Sequence, residues 1–324
     1  YTEDNDVYEF LSEELVKENG YDKITNNLNS YTTDFGMPEL PSYSTFYQLD
    51  PHLEYEFELV IHDSYLIEDV RVSPHQGFNE NSESFFINDE FYSSFESYPS
   101  NNIKISNRIY SRGIDIVSIE VVPFNYLAGI NTLEVFTNIE ILIHELGERT
   151  ADVNPMLKRS RVFDSLLSDF IINYEPSSRE EDYQLPSILY ICGGNSENNA
   201  YLQDLMDWRH EQGYVVRSAS LSETGNSANS IKNYIQDAYY NWENPPEYVA
   251  LVGDVGGSYS LPTFYNGHGH NYYNNECEGD LPYSQLNGDD LIPEVIVGRI
   301  SIRSSGEIGV VTTKMIAYEK ATYI

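Results

Sequence analysis

Positive charge is scarce in this sequence. The 324 residues carry 18 Lys and Arg against 52 Asp and Glu, a formal net charge of -34 at pH 7. A polyanion is repelled by such a surface, so nucleic acid is not an expected partner, nor is an anionic membrane surface. Cysteine is scarcer still. Cys192 and Cys277 are too few for a disulfide framework, and their spacing leaves open whether they bond to each other. No apolar run approaches the roughly 18 residues of a membrane span, so no membrane insertion is expected. The opening YTEDNDVYEF has no basic n-region and no apolar h-region. An exported form is therefore expected to be numbered from after removal of its signal peptide, and Tyr rather than Met at position 1 agrees with that. P-loop, dinucleotide, Gly-x-Ser-x-Gly and EF-hand patterns are all missing.

What is present suits cores and half-buried sheets. Hydrophobic residues make up 40%, and 28 Tyr outnumber 14 Phe. Tyr joins an apolar ring to a polar tip, which fits partly buried β-surfaces and interfaces. The length predicts about two domains. The acid excess also supplies oxygen ligands for hard cations such as Ca²⁺, although a merely solvated acidic face accounts for most of it.

The rhythm of the chain changes once. Residues 1–35 read as a polar N-terminal segment with one short helix from Val7 to Asn19, where Val7, Phe10, Leu11 and Leu15 share a face. Residues 36–147 read as an antiparallel β-sandwich. Tyr55 to His62, Leu66 to Val72, Ile114 to Val122 and Leu133 to His144 alternate in hydrophobicity between Asn, Ser, Pro and Gly clusters. Residues 148–184 form a connector, with helical spacing from Leu157 to Ile172. Residues 185–324 alternate strand and helix, which predicts a four-stranded parallel α/β domain with right-handed crossovers. Its strands are Ser187–Cys192, Tyr214–Ala219, Tyr248–Gly253 and Val295–Gly298. Its helices are Ala200–Gln212, Ser227–Trp242 and Ser305–Tyr323, with Leu202, Leu205, Met206 and His210 facing inward on the first and Gly213 closing it. The fold class is thus α+β and multidomain.

Several groups in the second half carry candidate chemistry. Asp254, Asp280, Asp289, Asp290 and Glu294 read as carboxylates converging at the carboxyl ends of adjacent parallel strands, where α/β sheets place ligands. Ca²⁺ takes about 6–8 oxygens and would relieve the repulsion of such a set. The alternative is that Asp289-Asp290 only turns the chain after Asn287-Gly288. His268 and His270 are candidates for a transition metal, though a third ligand is not evident. His268 with Cys277 is a candidate Cys–His catalytic pair. A Gly/Asn/Tyr-rich surface loop explains the same residues without any chemistry. Cys192 ends a buried strand and reads as core, and Arg299 reads as half of a structural ion pair. Lys158, Arg159 and Arg161 form the basic cluster of the connector, a candidate processing point or a helix docked on an acidic surface.

Two ordered sets of segments carry a resemblance. The first is Gly36-Met-Pro-Glu-Leu-Pro41, Arg112-Gly113 ahead of Ile116 to Pro123, Tyr126, and the Asn131 to Ile141 run. The second is Asp207-Trp208-Arg209 before Gly213-Tyr214, Ile231 to Tyr239, Tyr248 to Asp254, Asp280 to Tyr283, Asn287-Gly-Asp289-Asp290, Val297-Gly-Arg299 and Tyr318-Glu319. Together they resemble a precursor of the gingipain-type (C25, caspase-like) cysteine peptidases. The first set is similar to the propeptide and the second to the N-terminal subdomain of the peptidase. The resemblance implies an exported, extracellular bacterial protein that binds Ca²⁺. It places the family's Cys–His pair in a second subdomain after the Tyr318-Glu319 helix. The family's catalytic His stands in a Gly-His-Gly context like that of His268, but the position of His268 in the order of segments is too early. The expectation is a non-catalytic front half of a peptidase precursor, inactive as this chain alone, whose partner is a downstream catalytic subdomain. The alternative is an extracellular structural protein that self-associates into filaments or a surface layer on the same scaffold, with Ca²⁺ as a bridge.

Overall fold

A computed structural model of the chain describes residues 14–77, 85–150, 157–265, 278–288 and 290–321. It divides into two compact units. The first takes Tyr1–Arg108, Asp115–Val153 and Phe170–Tyr174, and the second takes Ile109–Ile114, Asn154–Asp169 and Glu175–Ile324. The second unit thus includes six residues that lie, in sequence, in the middle of the first.

The first unit is β-structure. Its elements are β1 (Glu14–Glu18), β2 (Tyr21–Thr25), β3 (Ser30–Tyr31), β4 (Pro41–Leu49), β5 (Leu53–Ile67), α1 (Asp89–Tyr92), β6 (Ser97–Tyr98) and β7 (Ile103–Ile105). After β8 (Ile109–Ser111), which falls in the second unit, come β9 (Ile114–Val121), β10 (Phe124–Leu127) and β11 (Thr132–Glu148). One antiparallel sheet has the order β5-β11-β10-β6 and another runs β3-β4-β9-β7. Alternation puts Phe57, Leu59, Ile139 and Ile141 on one face of the β5–β11 pair. They pack with Leu49, Val117, Ile119 and Val121 of the other sheet, so the two sheets share a core.

Two expectations for this unit change. Glu14–Glu18, placed in a helix by its spacing, is a strand paired with Tyr21–Thr25. Asn19 and Gly20 join the two strands with φ of 50° and 83°. An Asn-Gly pair with positive φ at both positions makes the tight hairpin turn whose twist matches its strands. The rest of that expected helix, from residue 7 to 13, lies outside the described residues. The N-terminal segment is also tied down: Ile24 is fully buried, and Ser30–Tyr31 adds a strand to β4. Leu66 to Val72 is not a separate strand. Leu66 and Ile67 end β5, and Asp69, at φ 60°, turns the chain away.

The second unit is built on a parallel sheet. Its elements are α2 (Arg161–Phe170), β12 (Ser187–Cys192), α3 (Ala200–Glu211), β13 (Val215–Ser220), α4 (Leu221–Thr224), α5 (Ala228–Asn241) and β14 (Tyr248–Val252). A small hairpin of β15 (Phe264–Tyr265) and β16 (Glu278–Gly279) precedes β17 (Ile296–Ile300) and α6 (Ser305–Glu319). The parallel order is β13-β12-β14-β17. Successive side chains of β12 go to opposite faces. Leu189 and Ile191 join Ile231, Ile235 and Tyr239 of α5, whereas Tyr190 and Cys192 join Leu202, Leu205 and Met206 of α3 and Ile308 of α6. Gly213, at φ 93°, closes α3 as its position suggests. His210 does not face inward. It is exposed, because the buried stripe of α3 ends at Met206.

Candidate functional site

The carboxyl edge of the parallel sheet is formed where β12 and β14 stop. Three glycines let a loop lie directly on it. A Cβ on Gly193 would meet the Tyr259 carbonyl oxygen at 2.4 Å, and one on Gly253 the same atom at 2.0 Å. Gly194, at φ 58°, likewise stands against Ser258. The loop is then tied by arginine. Arg299, on β17, forms two parallel bonds with Asp280, Nε to Oδ2 and Nη2 to Oδ1, both at 2.7 Å. Its remaining N–H groups reach the carbonyls of Gly253, Leu261 and Pro262. Such a two-point pair is among the stronger charge-assisted contacts. Asp254 accepts from Arg303 Nε at 2.5 Å and from its neighbouring Val255 N–H at 2.9 Å. The Arg303 contact, followed by that N–H, holds the Asp254 carboxyl below the usual carboxylate range.

The amino edge is different in kind. Here Arg112, 6% exposed, lies among Gln184, Tyr239, Glu247 and Glu294. Arg112 and Gly113 form a turn with φ of 51° and 89°. A Cβ on Gly113 would stand 3.1 Å from the Leu157 backbone nitrogen, so the tight approach suits glycine. The guanidinium lies 4.5 Å from the Phe163 ring centre and 5.4 Å from that of Tyr239. Nη1 donates to the carbonyls of Pro246 and Glu294 at 3.3 and 3.2 Å, and Nη2 to Gln184 Oε1 at 3.4 Å. The Arg112 backbone N–H donates to the Tyr239 hydroxyl at 3.0 Å. Burial lowers the guanidinium's proton affinity, while Tyr239, Glu247 and Glu294 raise it.

Glu294 is fully buried just before β17. Its Oε2 accepts the backbone N–H groups of Leu286 and Asn287 at 2.6 and 3.1 Å. Burial outweighs these bonds and pushes its pKa up to about 7. Burial likewise raises that of Glu247. Arg112 Nε, Glu294 Oε1 and Ser111 Oγ are buried without a partner of ordinary hydrogen-bond geometry.

The five acidic candidates are distributed over these places. Asp254 and Asp280 sit on the carboxyl-edge loop system, each against its own arginine. Glu294 stands at the opposite edge. Asp290 Oδ1 accepts the Ile292 N–H at 2.8 Å within the turn that Gly288, at φ 64°, begins. Asp289 lies outside the described residues, as do His268, His270 and Cys277. Among the described residues, no group of three or more His, Cys, Asp and Glu side chains is placed to hold a metal ion. Cys192 is a buried core thiol, pushed up to about 12 by burial, which makes it a poor nucleophile.

In the connector, Lys158 is exposed. Arg159 is held by backbone bonds to Asp182 and Gln184 and pairs with Asp164. Ser160 is buried, and exposed Arg161 pairs with Glu180 over the Tyr183 ring. A second link explains two of the segments singled out in the sequence. Arg209 of α3 forms two 2.6 Å bonds to Glu319 of α6, and Trp208 Nε1 donates to the same carboxylate at 2.8 Å. The amino-edge group went unread as a site in the sequence. The Arg112-Gly113 pair signals a turn, but nothing local says that its side chain is buried 127 residues from Tyr239.

Comparison with known proteins finds two family matches in succession along the chain. The family described as Propeptide_C25 matches residues 14–180, and Peptidase family C25 matches residues 182–323. The chain therefore belongs to the C25 family, as a gingipain-like precursor with its propeptide and part of its peptidase domain. Gingipain R1 of Porphyromonas gingivalis is 23% identical over 293 residues, which cover 88% of this chain and 28% of the relative. Lys-gingipain HG66 of the same organism is 27% identical over 227 residues, 65% of this chain and 12% of the relative. The chain thus spans well under half the length of these relatives. Among solved structures, a complex of P. gingivalis RgpB pro- and mature domains aligns at TM-score 0.43 and 17% identity, over 52% of this chain and 91% of that one. A structure of gingipain K zymogenic latency from that organism aligns at TM-score 0.36 and 18% identity, over 42% and 81%. No helix among the described residues is long and apolar enough to cross a membrane.

Proposed function

We propose that these residues are the non-catalytic front of a secreted, extracellular gingipain-like cysteine peptidase precursor, without peptidase activity as this chain alone. The carrying observation is the succession of a propeptide match and a peptidase match, 14–180 then 182–323. The buried, high-pKa Cys192 supports the reading, since it offers no thiolate to chemistry. In this reading the partner is a catalytic subdomain that follows the Tyr318-Glu319 helix, and the α/β unit buttresses it. The test is hydrolysis of Arg- and Lys-containing peptides by the 324-residue chain. No turnover above buffer is expected. Turnover that disappears in Cys277→Ala or His268→Ala overturns the reading and makes those two residues the catalytic pair.

Processing in the connector belongs to the same proposal. Lys158 and Arg161 are the exposed members of the basic cluster, while Arg159 is bonded on both sides. Arg179 is also exposed and stands at the junction of the two family matches, so N-terminal sequencing after limited digestion by a protease that cleaves after both Lys and Arg chooses between the sites. Calcium stays in the proposal through the acidity of the chain and the resemblance. The arginine pairs of Asp254 and Asp280 compete with any cation for those carboxylates. A melting temperature that rises with Ca²⁺ and falls back with chelator supports it, and identical melts remove it.

A further inference from the structure

The amino edge of the parallel sheet is built as a receptor for one particular side chain. Each group around Arg112 answers a feature of a guanidinium. Phe163 and Tyr239 present ring faces to the planar cation at 4.5 and 5.4 Å. The carbonyls of Pro246 and Glu294 and the Gln184 amide oxygen take hydrogen bonds from its two terminal nitrogens. Glu247 and Glu294, 2% and 0% exposed, supply the negative field. An ammonium has neither the planar face nor the fork of donors that this arrangement uses. Glu294 Oε1 is also buried there without a partner of ordinary hydrogen-bond geometry.

The occupant and the walls come from separate stretches of chain. Arg112 is delivered by Ile109–Ile114, which enters this unit from Arg108 and leaves it at Asp115. Every wall residue named above belongs to the 154–169 or 175–324 portion of the unit. That is the layout of a binding site with a tethered ligand, in which the tether's high effective concentration keeps the site filled.

We propose that the α/β unit carries an arginine-binding socket at the amino edge of its sheet, occupied in cis by Arg112, and that the emptied socket takes a guanidinium ligand from outside the chain. The inference stands apart from the peptidase reading, since it concerns the amino edge and requires no catalytic residue. The test uses the full 324-residue chain carrying Arg112→Ala, with ethylguanidinium as probe and ethylammonium as a control of similar size and equal charge. Trp208 and Trp242, the two tryptophans of the chain, both lie in this unit and report its melting. The variant is expected to melt below wild type. Millimolar ethylguanidinium should raise its melting temperature by several degrees and leave wild type unmoved, because a ligand stabilises only the form with an open site. No rise overturns the proposal, as does an equal rise with ethylammonium or in wild type. If Arg112→Ala does not fold, the yield of refolded protein is read with the same probes. Recovery with ethylguanidinium alone supports the socket, and recovery with neither or with both overturns it.

Discussion

At the carboxyl edge of the parallel sheet, Arg299 and Arg303 touch their carboxylates directly, at 2.7 and 2.5 Å. At the amino edge, Arg112 gives its N–H groups to neutral oxygens and meets Glu247 and Glu294 only through their field. Water accounts for the contrast. Arg303 is 68% exposed, and a direct pair there replaces hydration that the charges otherwise keep. Arg112 and Glu294 are sealed in, so the bonds they make go to the backbone groups and the Gln184 side chain that the fold places beside them. The lesson is that an ion pair at the rim fastens a loop, whereas buried charge at the base fixes which segments assemble there.

The largest effect that sharpens this contrast is expected from removing a buried member. Glu294→Ala strips two backbone N–H groups of their acceptor and Arg112 of a counter-charge, and should destabilise the α/β unit by about 3–5 kcal/mol. Urea unfolding followed by tryptophan fluorescence measures this. A loss below that of Arg303→Ala would break the comparison.

The two edges should also answer pH with opposite signs. Glu294 has a folded pKa of about 7, above its ordinary value of 4.5, so the folded state favours its protonated form. Its contribution is fully present below about pH 4.5 and is lost as pH rises through 7, a swing of about 3 kcal/mol. Glu247, raised by burial, acts in the same direction. Asp254 is depressed, so its contribution is present above its ordinary pKa and lost as pH falls. Glu294→Gln should flatten the decline between pH 5 and 8 seen in urea midpoints. An unchanged decline would assign it to other groups.

Arg299→Met should cost about 2 kcal/mol, because its two-point pair and three carbonyl contacts are mostly buried. The smallest effect is expected at Arg303→Ala. The cost there is below that at Arg299 and shrinks in high salt, as for other exposed pairs. A salt-insensitive loss at Arg303 equal to that at Arg299 would erase the distinction between them.

Much of the α/β unit was legible from sequence. Ser187–Cys192 is an apolar run leading into Gly-Gly, and it is the buried strand that the run predicts. The helix expected over Ser227–Trp242 is α5, with Ile231, Ile235 and Ala238 buried on one face. The β-unit was read less well. Asn19-Gly20 specified a hairpin, but the helical spacing of the residues before it masked the turn. Asp254, Asp280 and Glu294 are close in sequence and of one charge. Periodicity does not say that β17 starts between two of their destinations, with Glu294 left at its base.

The sequence by itself determined the strand–helix alternation, the helix stops and the family, because these rest on local periodicity, glycine conformation and the order of segments. Only the tertiary structure decided where the charges went. Whether Arg299 fastens Asp280, Arg209 meets Glu319 or Arg112 is enclosed beneath the sheet depends on contacts between residues 19, 110 and more than 100 positions apart. A buried charge is stabilised by whatever surrounds it in space, and in a folded chain those surroundings come from segments that have no local relation to one another.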